Sequence, residues 1–247
     1  MKHSPKFSII TVTYNAATVI EPTLQSIVAQ TYRNIEFLLI DGGSTDNTVE
    51  IVRNSGVEIA YLVSERDKGL YDAMNKGIER ATGDYLCFLN AGDSFHAPDV
   101  LEKIVATIPQ KETMPDILYG ETAEVDEKRK FVRMRRLQAP EKLDWRSFRH
   151  GMLVCHQAFF ARRTLVPAYD LTYRFSADVD WCIRVMKVSK DIVNTHVVIV
   201  DYLQNGLSLQ NHRASLIERF RIMSKHYGML PTIVRHVWFV IRAIIKK

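Results

Sequence analysis

The chain has 247 residues, 47% hydrophobic and 25% charged, a composition that excludes an intrinsically disordered protein and suits one large domain or a domain with a small appendage. It holds 33 basic and 28 acidic side chains, but residues 211–247 contain eight of the basic ones and one acid, Glu218, so the remainder is about neutral. Three cysteines without a CxxC pair argue against a disulfide framework or a zinc site and fit a reducing cytoplasm.

The first half alternates predicted strands and helices. The apolar start is too short for a signal peptide and is typical of a buried strand. Short continuous apolar strands separated by helices predict a parallel sheet covered on both faces, hence an α/β fold. Strands are predicted at 7–13, 35–40, 57–63 and 84–89, and helices at 17–30, 48–54 and 70–81, with Pro22 tolerable only near the first helical turn.

Polar residues follow each of these four strands. Thr13, Tyr14 and Asn15 follow the first, Asp41 the second, residues 64–67 the third and residues 90–93 the fourth. In open α/β sheets, ligands bind beyond the carboxyl ends of the strands. The sequence therefore predicts a binding site at this edge.

The second half is less regular. It contains a basic stretch at 128–136, with six Lys or Arg in nine residues, and predicted strands at 156–160 and 197–202. A helix is predicted at 178–188, and two more at 211–227 and 232–245, separated by Gly228 and Pro231.

Two carboxylates at strand ends suit nucleotide chemistry. Asp93, in a glycine-containing loop, can reach a Mg²⁺ or Mn²⁺ ion that bridges two phosphates, because such ions take one or two carboxylates plus phosphate oxygens. Asp41 precedes two glycines that permit a tight turn close to a ligand, and its carboxylate can accept a hydrogen bond from a base or ribose. The alternatives are a helix-capping turn for Asp93 and an ordinary strand-to-helix turn for Asp41.

Further candidates lie in the second half. Asp178 and Asp180 are candidates for a general base that removes a proton from an acceptor hydroxyl, although both also suit the first turn of a helix. His156 can bind diphosphate or acceptor, although a lone histidine is more often structural.

In chain order, the segments FSIITVTYNA, IEFLLIDGGSTDNT, SERDKGLYDAMNKGIERATGDYLCFLNAGD, HQAFF and ADVDW resemble the family 2 glycosyltransferases, most of all bacterial members that build surface polysaccharides. The resemblance runs over 7–210. It implies an α/β GT-A fold with a Rossmann-like, mostly parallel central sheet and flanking helices. Residues 1–95 would form its nucleotide-sugar-binding half and 96–210 its acceptor-binding half, followed by basic amphipathic helices in 211–247.

The resemblance also implies an inverting, single-displacement transfer of a sugar from a nucleotide-sugar, with Mn²⁺ or Mg²⁺ bound at Asp93. Asp178 matches the position of the catalytic base, in a segment where many relatives have Glu-Asp. His156 is expected to contact the donor. The other residues expected to bind the nucleotide-sugar are Thr13, Tyr14, Asn15, Asp41, Asp67 and Asn90.

Two positions depart from the family pattern. Asn90 and Gly92 stand where relatives often have acids, so Asp93 is expected to carry metal binding, with Asn90 contacting sugar or ribose. Met74 stands where relatives often have an arginine, and Lys68 or Lys76 is a speculative substitute for binding the diphosphate.

The segment 232–245 is strongly apolar but too short to span a bilayer and is interrupted by Arg235 and Arg242. We expect it to lie on an anionic membrane surface with Trp238 and Phe239 inserted, the alternative being a helix packed on the protein itself or in a dimer. Nucleic acid is not expected, because no recognition motif accompanies the charge.

These features predict a cytoplasmic enzyme at the inner face of the cell membrane with a lipid-linked or oligosaccharide acceptor. The 128–136 stretch would bind acceptor diphosphate, and a segment at 206–208 would close over the donor.

Other nucleotide enzymes fit less well. A dehydrogenase would need GxGxxG after the first strand, and a sugar-nucleotide pyrophosphorylase a glycine-rich basic loop; neither is present. A catalytically silent nucleotide-sugar-binding protein stays open because the metal motif has one acid. UDP is the preferred nucleotide, with GDP and dTDP as alternatives.

Overall fold

The computed structural model describes residues 4–109, 113–204 and 212–245. In this part of the chain, helices flank a central sheet. Its strands are β1 (Phe7–Thr13), β2 (Ile35–Asp41), β3 (Ile59–Ser64), β4 (Tyr85–Phe88), β5 (Ser94–Phe95), β6 (Ile117–Val125), β7 (Phe131–Met134), β8 (Phe159–Arg162) and β9 (Ile192–Leu203). Its helices are α1 (Ile20–Val28), α2 (Thr48–Arg53), α3 (Leu70–Arg80), α4 (Val100–Thr107), α5 (Ala177–Val188), α6 (His212–Tyr227) and α7 (Met229–Ile245).

The strands of the described residues form one sheet in the order β3-β2-β1-β4-β8-β6-β9-β5, with β7 paired to β6. The first four strands are parallel, as the sequence predicts. The second half is mixed, because β8 runs antiparallel to both β4 and β6, whereas β9 runs parallel to β6. The fold is therefore α/β with a mixed sheet.

The first two strands of the parallel half are buried along nearly their whole length. Every residue of β1 is buried, as are all residues of β2 except its first. Gly77 of α3 lies so close to β1 that an added Cβ would be 2.5 Å from Cγ2 of Ile10. This close approach explains why glycine occupies a helical position there, despite its cost in helix propensity.

Some boundaries differ from the predicted ones. Helix α1 is shorter than expected, and Pro22 lies in its first turn, where its missing N–H costs nothing. His156 lies in a short 3-10 turn (His156–Ala158) before β8, rather than in the strand itself. Strand β9 begins well before residue 197, the predicted start. His196 has a φ of +55° and the pairing with β6 shifts nearby, so the apolar strand pattern of the sequence covers only the part of β9 after this irregularity.

Two helices follow β9, as predicted. Helix α6 buries Ile222 and Met223 against the body of the protein. Gly228, with a φ of +90°, separates it from α7, whose first turn contains Pro231. No helix among the described residues is long and apolar enough to cross a membrane. The segment 206–208 and the side chains of Trp238 and Phe239 lie outside the described residues.

At the opposite end of the parallel sheet, away from the predicted site, a buried carboxylate holds several segments of the chain together. Glu36 of β2 accepts hydrogen bonds from the Ser8 hydroxyl at 2.5 Å, from the backbone N–H groups of Thr82 and Gly83 at 2.6 and 3.0 Å, and from Lys6 Nζ at 2.7 Å. Burial alone would raise the pKa of Glu36, but these contacts outweigh it and lower the pKa to about 2.

The substitution Glu36→Gln is expected to lower the free energy of unfolding by about 2 to 3 kcal/mol at pH 7, because the amide NH₂ would face backbone N–H donors. Because the pKa of Glu36 is lower in the folded state, its ionised form stabilises the fold above the unfolded pKa of 4.5. This contribution is lost as the pH falls toward 2. Urea unfolding at pH 7 and pH 2.5 would therefore show a smaller difference between variant and wild type in acid. Glu58→Gln, at an exposed residue, is the control; a pH-independent difference would contradict this account.

Candidate active site

The carboxyl ends of β1, β2 and β3 meet around Asp41. This residue is fully buried, and its carboxylate accepts hydrogen bonds from the hydroxyls of Thr13 (2.8 Å), Ser44 (2.5 Å) and Ser64 (2.6 Å). It also accepts the N–H of Ser44 at 2.8 Å. Burial opposes ionisation, but these hydrogen bonds outweigh it and lower the pKa of Asp41. The carboxylate therefore holds three strand ends and the following turn in one arrangement.

Asn15 and Asp67 are joined to the same turn. The Asn15 side-chain oxygen accepts the N–H of Thr45 at 2.8 Å, with its backbone in the left-handed region at a φ of +49°. A Cβ added to Gly42 would lie 2.5 Å from Oδ2 of Asp67, so a larger residue there would displace the Asp67 carboxylate. The Tyr14 side chain is 67% exposed, which leaves its ring open to stacking. The structure thus brings Thr13, Asn15, Asp41 and Asp67 together around one turn, and their contact with a nucleotide stays a prediction.

Asp93 lies in a four-residue turn after β4, where its N–H donates to the carbonyl of Asn90 at 3.0 Å. The Asp93 carboxylate is 4% exposed and accepts hydrogen bonds from Nε2 of Gln157 at 2.7 Å and from the N–H of Leu203 at 3.0 Å. Burial dominates and raises the pKa of Asp93 to about 7. The turn thus holds a carboxylate whose charge the protein offsets only in part.

Arg129 belongs to the basic stretch, yet it contacts this turn. Its guanidinium donates to the carbonyl of Gly92 at 2.6 Å and to the Ser94 hydroxyl. The charge of Arg129 favours ionisation of Asp93, although less than burial opposes it. In the same stretch, Arg133 pairs with Glu124 at 2.8 Å, and Lys128 and Lys130 are exposed. Sequence reasoning missed Arg129, because a basic stretch does not reveal which of its side chains turns inward.

The residues around Asp93 fit a divalent ion that is held mainly by phosphate. Among the described residues, no group of three or more His, Cys, Asp or Glu side chains converges on one point, so a site built from protein alone is not seen. However, Oδ1 of Asn90 is buried and has no hydrogen-bond partner in the described part of the chain. One carboxylate and one unpaired amide oxygen suit an ion completed by substrate oxygens.

Asp178 and Asp180 have different surroundings. Asp178, in the first turn of α5, is half-buried and accepts the Tyr71 hydroxyl at 3.1 Å. Asp180 is fully buried and binds Arg184 Nε at 2.6 Å and His226 Nε2 at 2.8 Å. Burial opposes ionisation of Asp180, yet these contacts lower its pKa to about 2. The geometry therefore leaves Asp178 as the candidate base, and its catalytic role stays a prediction.

The pKa of Tyr202 responds to the charges of both candidate acids. Burial, then the charge of Asp93 and, more weakly, that of Asp178, raises the pKa of Tyr202 well above its ordinary value. The two carboxylates therefore lie within electrostatic range of the same phenol, although they come from different halves of the chain. Tyr202 and Tyr71 were both missed by sequence reasoning; the only available signal for Tyr71 was its place in the GLYDAMNKG segment.

His156 lies among aromatic rings. It stacks on Phe88 with centroids 5.0 Å apart, meets Trp181 edge-on and hydrogen-bonds the Tyr169 hydroxyl through Nε2 at 2.6 Å. Burial lowers the pKa of His156 to about 4, so the ring is neutral at pH 7. This placement favours a structural role, and donor contact by His156 stays a prediction. Of the lysines considered for the diphosphate, Lys76 pairs with Glu65 at 2.8 Å and Lys68 is exposed.

Comparison with known proteins gives matches at the level of sequence. A family model described as "Glycosyl transferase family 2" matches residues 8–167. A PGL/p-HBAD biosynthesis glycosyltransferase of Mycobacterium bovis is 37% identical over 211 residues, covering 82% of this chain and 78% of the relative.

Two solved structures share the fold. S. aureus TarS 1-349, in complex with UDP-GlcNAc, has a TM-score of 0.68 at 16% identity and covers 95% of this chain and 73% of its own. The mannosyltransferase PcManGT from Pyrobaculum calidifontis, in complex with GDP-Man and Mn²⁺, has a TM-score of 0.63 at 19% identity and covers 95% and 69%. At these identities the likeness shows the fold, which is GT-A-like.

The raised pKa of Asp93 predicts a pH effect on stability. Between the ordinary value of 3.8 and about 7, the folded state binds more protons at Asp93 than the unfolded state, so its contribution to stability is lost as the pH rises through this window. Asp93→Asn removes the titration and keeps the shape. Thermal unfolding without metal is expected to favour the variant over wild type increasingly from pH 5 to pH 8, by a few kcal/mol at most. A constant difference across that range would contradict a pKa near 7.

Proposed function

The chain belongs to glycosyltransferase family 2 and is a glycosyltransferase. We propose that it transfers one sugar, with inversion, from a nucleotide-sugar to a hydroxyl of a lipid-linked glycan. The observation that carries this proposal is the buried Asp93 carboxylate in the turn after β4, held by donors from Gln157 and Leu203 in the second half of the chain. The proposed setting is cell-surface polysaccharide synthesis at the inner face of the cell membrane.

The donor would lie along the carboxyl edge of β1 to β4. Tyr14 offers an exposed ring for the base, and the half-buried Asp67 offers an acceptor for base or ribose N–H and O–H groups. The fully buried Asp41 would act by holding the turn in place. TarS has been solved with UDP and with UDP-GlcNAc, which supports UDP. PcManGT has been solved with GDP-Man, so GDP is the alternative.

The Asp178 carboxylate would act as the general base. It accepts the proton of the acceptor hydroxyl while the hydroxyl oxygen forms a bond to the anomeric carbon of the donor sugar. The bond from that carbon to the diphosphate oxygen breaks, and the nucleoside diphosphate leaves with the electron pair. The Tyr71 hydroxyl, 3.1 Å from Oδ1 of Asp178, restrains the carboxylate during this step.

Asp93 and Asn90 are the residues that would hold Mn²⁺ or Mg²⁺. Such an ion would offset the negative charge that develops on the departing diphosphate. PcManGT has been solved with Mn²⁺, which supports this part of the proposal. Arg129, bound to the same turn, would keep Asp93 in place and add positive charge near the phosphates.

The single acid at the metal motif left a catalytically silent nucleotide-sugar-binding protein open at the level of the sequence. The family model and the 37% identical glycosyltransferase relative favour the enzyme instead.

The exposed face of α7 supports a membrane partner. Leu230 is 76% and Val234 69% exposed, and with Val237 they form a stripe at helical spacing. Two cations lie near this helix: Arg235 belongs to it and contacts His150, and Arg146 lies over the Trp145 ring, which stacks on Tyr227 at the end of α6. An apolar stripe bordered by positive charge suits the surface of an anionic bilayer, where a lipid-linked acceptor is found.

Calorimetry with UDP, GDP and dTDP, each with and without Mn²⁺, tests the donor site. We expect Mn²⁺-dependent binding of one nucleotide, about 10- to 100-fold weaker in Asp93→Ala. Asp178→Asn should bind that nucleotide normally but transfer sugar about 100- to 10,000-fold more slowly. A nucleotide affinity that changes neither with Mn²⁺ nor in Asp93→Ala would refute the metal site. Unchanged turnover in Asp178→Asn would refute the assignment of the base.

Vesicle flotation tests the membrane partner. Wild type is expected to float with vesicles rich in phosphatidylglycerol and not with phosphatidylcholine alone, and Val234→Glu should reduce binding about tenfold or more. Val28→Glu, at an exposed valine at the end of α1, is the matched control and should bind normally. Equal binding by both variants would show that α7 does not face the membrane.

A further inference from the structure

The segment that leads into α5, two residues before Asp178, is anchored by a carboxylate from α6. Glu218 Oε1 accepts the N–H of Arg174 at 2.8 Å, and its Oε2 accepts those of Phe175 and Ser176 at 2.8 and 2.9 Å. These three N–H groups immediately precede the helix, where backbone donors lack intrahelical partners. A negative charge at this position also interacts favourably with the helix dipole.

Two further contacts attach α6 to the same region. The buried hydroxyls of Ser176 and Ser215 are 2.9 Å apart, and Ser215 lies one turn before Glu218 on α6. On the other side of Asp178, the buried Asp180 binds His226 at 2.8 Å and Lys225 at 3.4 Å. Asp178 therefore lies between two points at which α5 is bonded to α6.

This arrangement also explains the one acid in a basic segment. Residues 211–247 contain eight Lys or Arg and only Glu218 as an acid. A solvated acid in a membrane-facing segment would weaken attraction to anionic lipid, but the Glu218 carboxylate is bound to backbone N–H groups of the catalytic region.

We propose that Glu218 is a positioning residue for catalysis, which fixes the start of α5 and thereby the place of the Asp178 carboxylate relative to the acceptor. Helix α6 would then contribute to the catalytic centre through Glu218, in addition to packing on the domain. Tyr71 restrains the Asp178 carboxylate from the side of α3, and Glu218 sets the backbone that carries it. The inference rests on the proposed role of Asp178 as the base.

The test compares Glu218→Gln and Glu218→Ala with wild type. Gln retains one acceptor oxygen, so its defect should be the smaller of the two. We expect kcat per folded molecule to fall by up to about 100-fold in Glu218→Ala, because small displacements of a reacting group are costly. The nucleotide dissociation constant should stay unchanged, the pH profile of kcat should shift, and amide hydrogen exchange at 174–180 should accelerate.

Glu36→Gln is the matched control, since Glu36 also accepts backbone N–H groups but lies at the far end of the sheet. It should lose thermal stability while keeping kcat per folded molecule and its pH profile. If Glu218→Gln behaves in the same way, Glu218 is merely structural and the proposal is overturned. If Glu218→Ala does not fold, Glu218→Gln alone decides.

The catalytic role of Asp178 and the positioning role of Glu218 can be refuted separately. Full activity in Asp178→Asn would refute the assignment of Asp178 as the base and, with it, the catalytic role of Glu218. This would hold even if hydrogen exchange at 174–180 still responds to Glu218→Gln. A large loss of kcat in Asp178→Asn with none in the Glu218 variants would overturn only the positioning role.

Discussion

The parallel, in-register pairing of β1, β2 and β3 is the constraint on which the rest of the site depends. It places Thr13 opposite Asp41, and Asp41 opposite Ser64, so that three strands end at the same level. The buried Asp41 carboxylate then gathers hydroxyl and N–H donors from all three ends. Because burial without these donors would be costly, the hydrogen bonds and the register reinforce each other.

The second half of the chain completes the site by supplying partners to a carboxylate of the first half. Gln157 comes from the turn before β8, and the Leu203 N–H from the end of β9; both donate to Asp93. Strand β8 can reach this position because it pairs antiparallel with β4, the strand that leads into the Asp93 turn. Two hydrogen bonds do not replace full hydration of a carboxylate, which is why its pKa rises to about 7. The same deficit makes Asp93 a suitable ligand for a cation.

Helix geometry separates the two acids of α5. Residues two apart lie about 200° apart around a helix, so Asp178 and Asp180 point to nearly opposite sides. Asp178 meets Tyr71 of α3, whereas Asp180 meets His226 of α6. The spacing alone predicts that the two differ in surroundings, but which one faces the site depends on what packs against each side. The same applies to the C-terminal helices, where α6 packs against α5 and α7 leaves an apolar stripe exposed.

The sequence by itself determined the α/β class and the four parallel strands, because continuous apolar strands and polar strand ends are local patterns. The family followed from the resemblance of its motif segments. The sequence also marked Asp41, Asp67 and Asp93 as members of one edge, since parallel strands must end together. Only the tertiary structure decided that Arg129 turns inward to the Asp93 turn, that His156 is buried among aromatic rings and that Glu218 anchors α5. These contacts join residues 37, 68 and 43 positions apart in the chain. No local periodicity encodes such pairings, because they arise only when separate elements pack against one another.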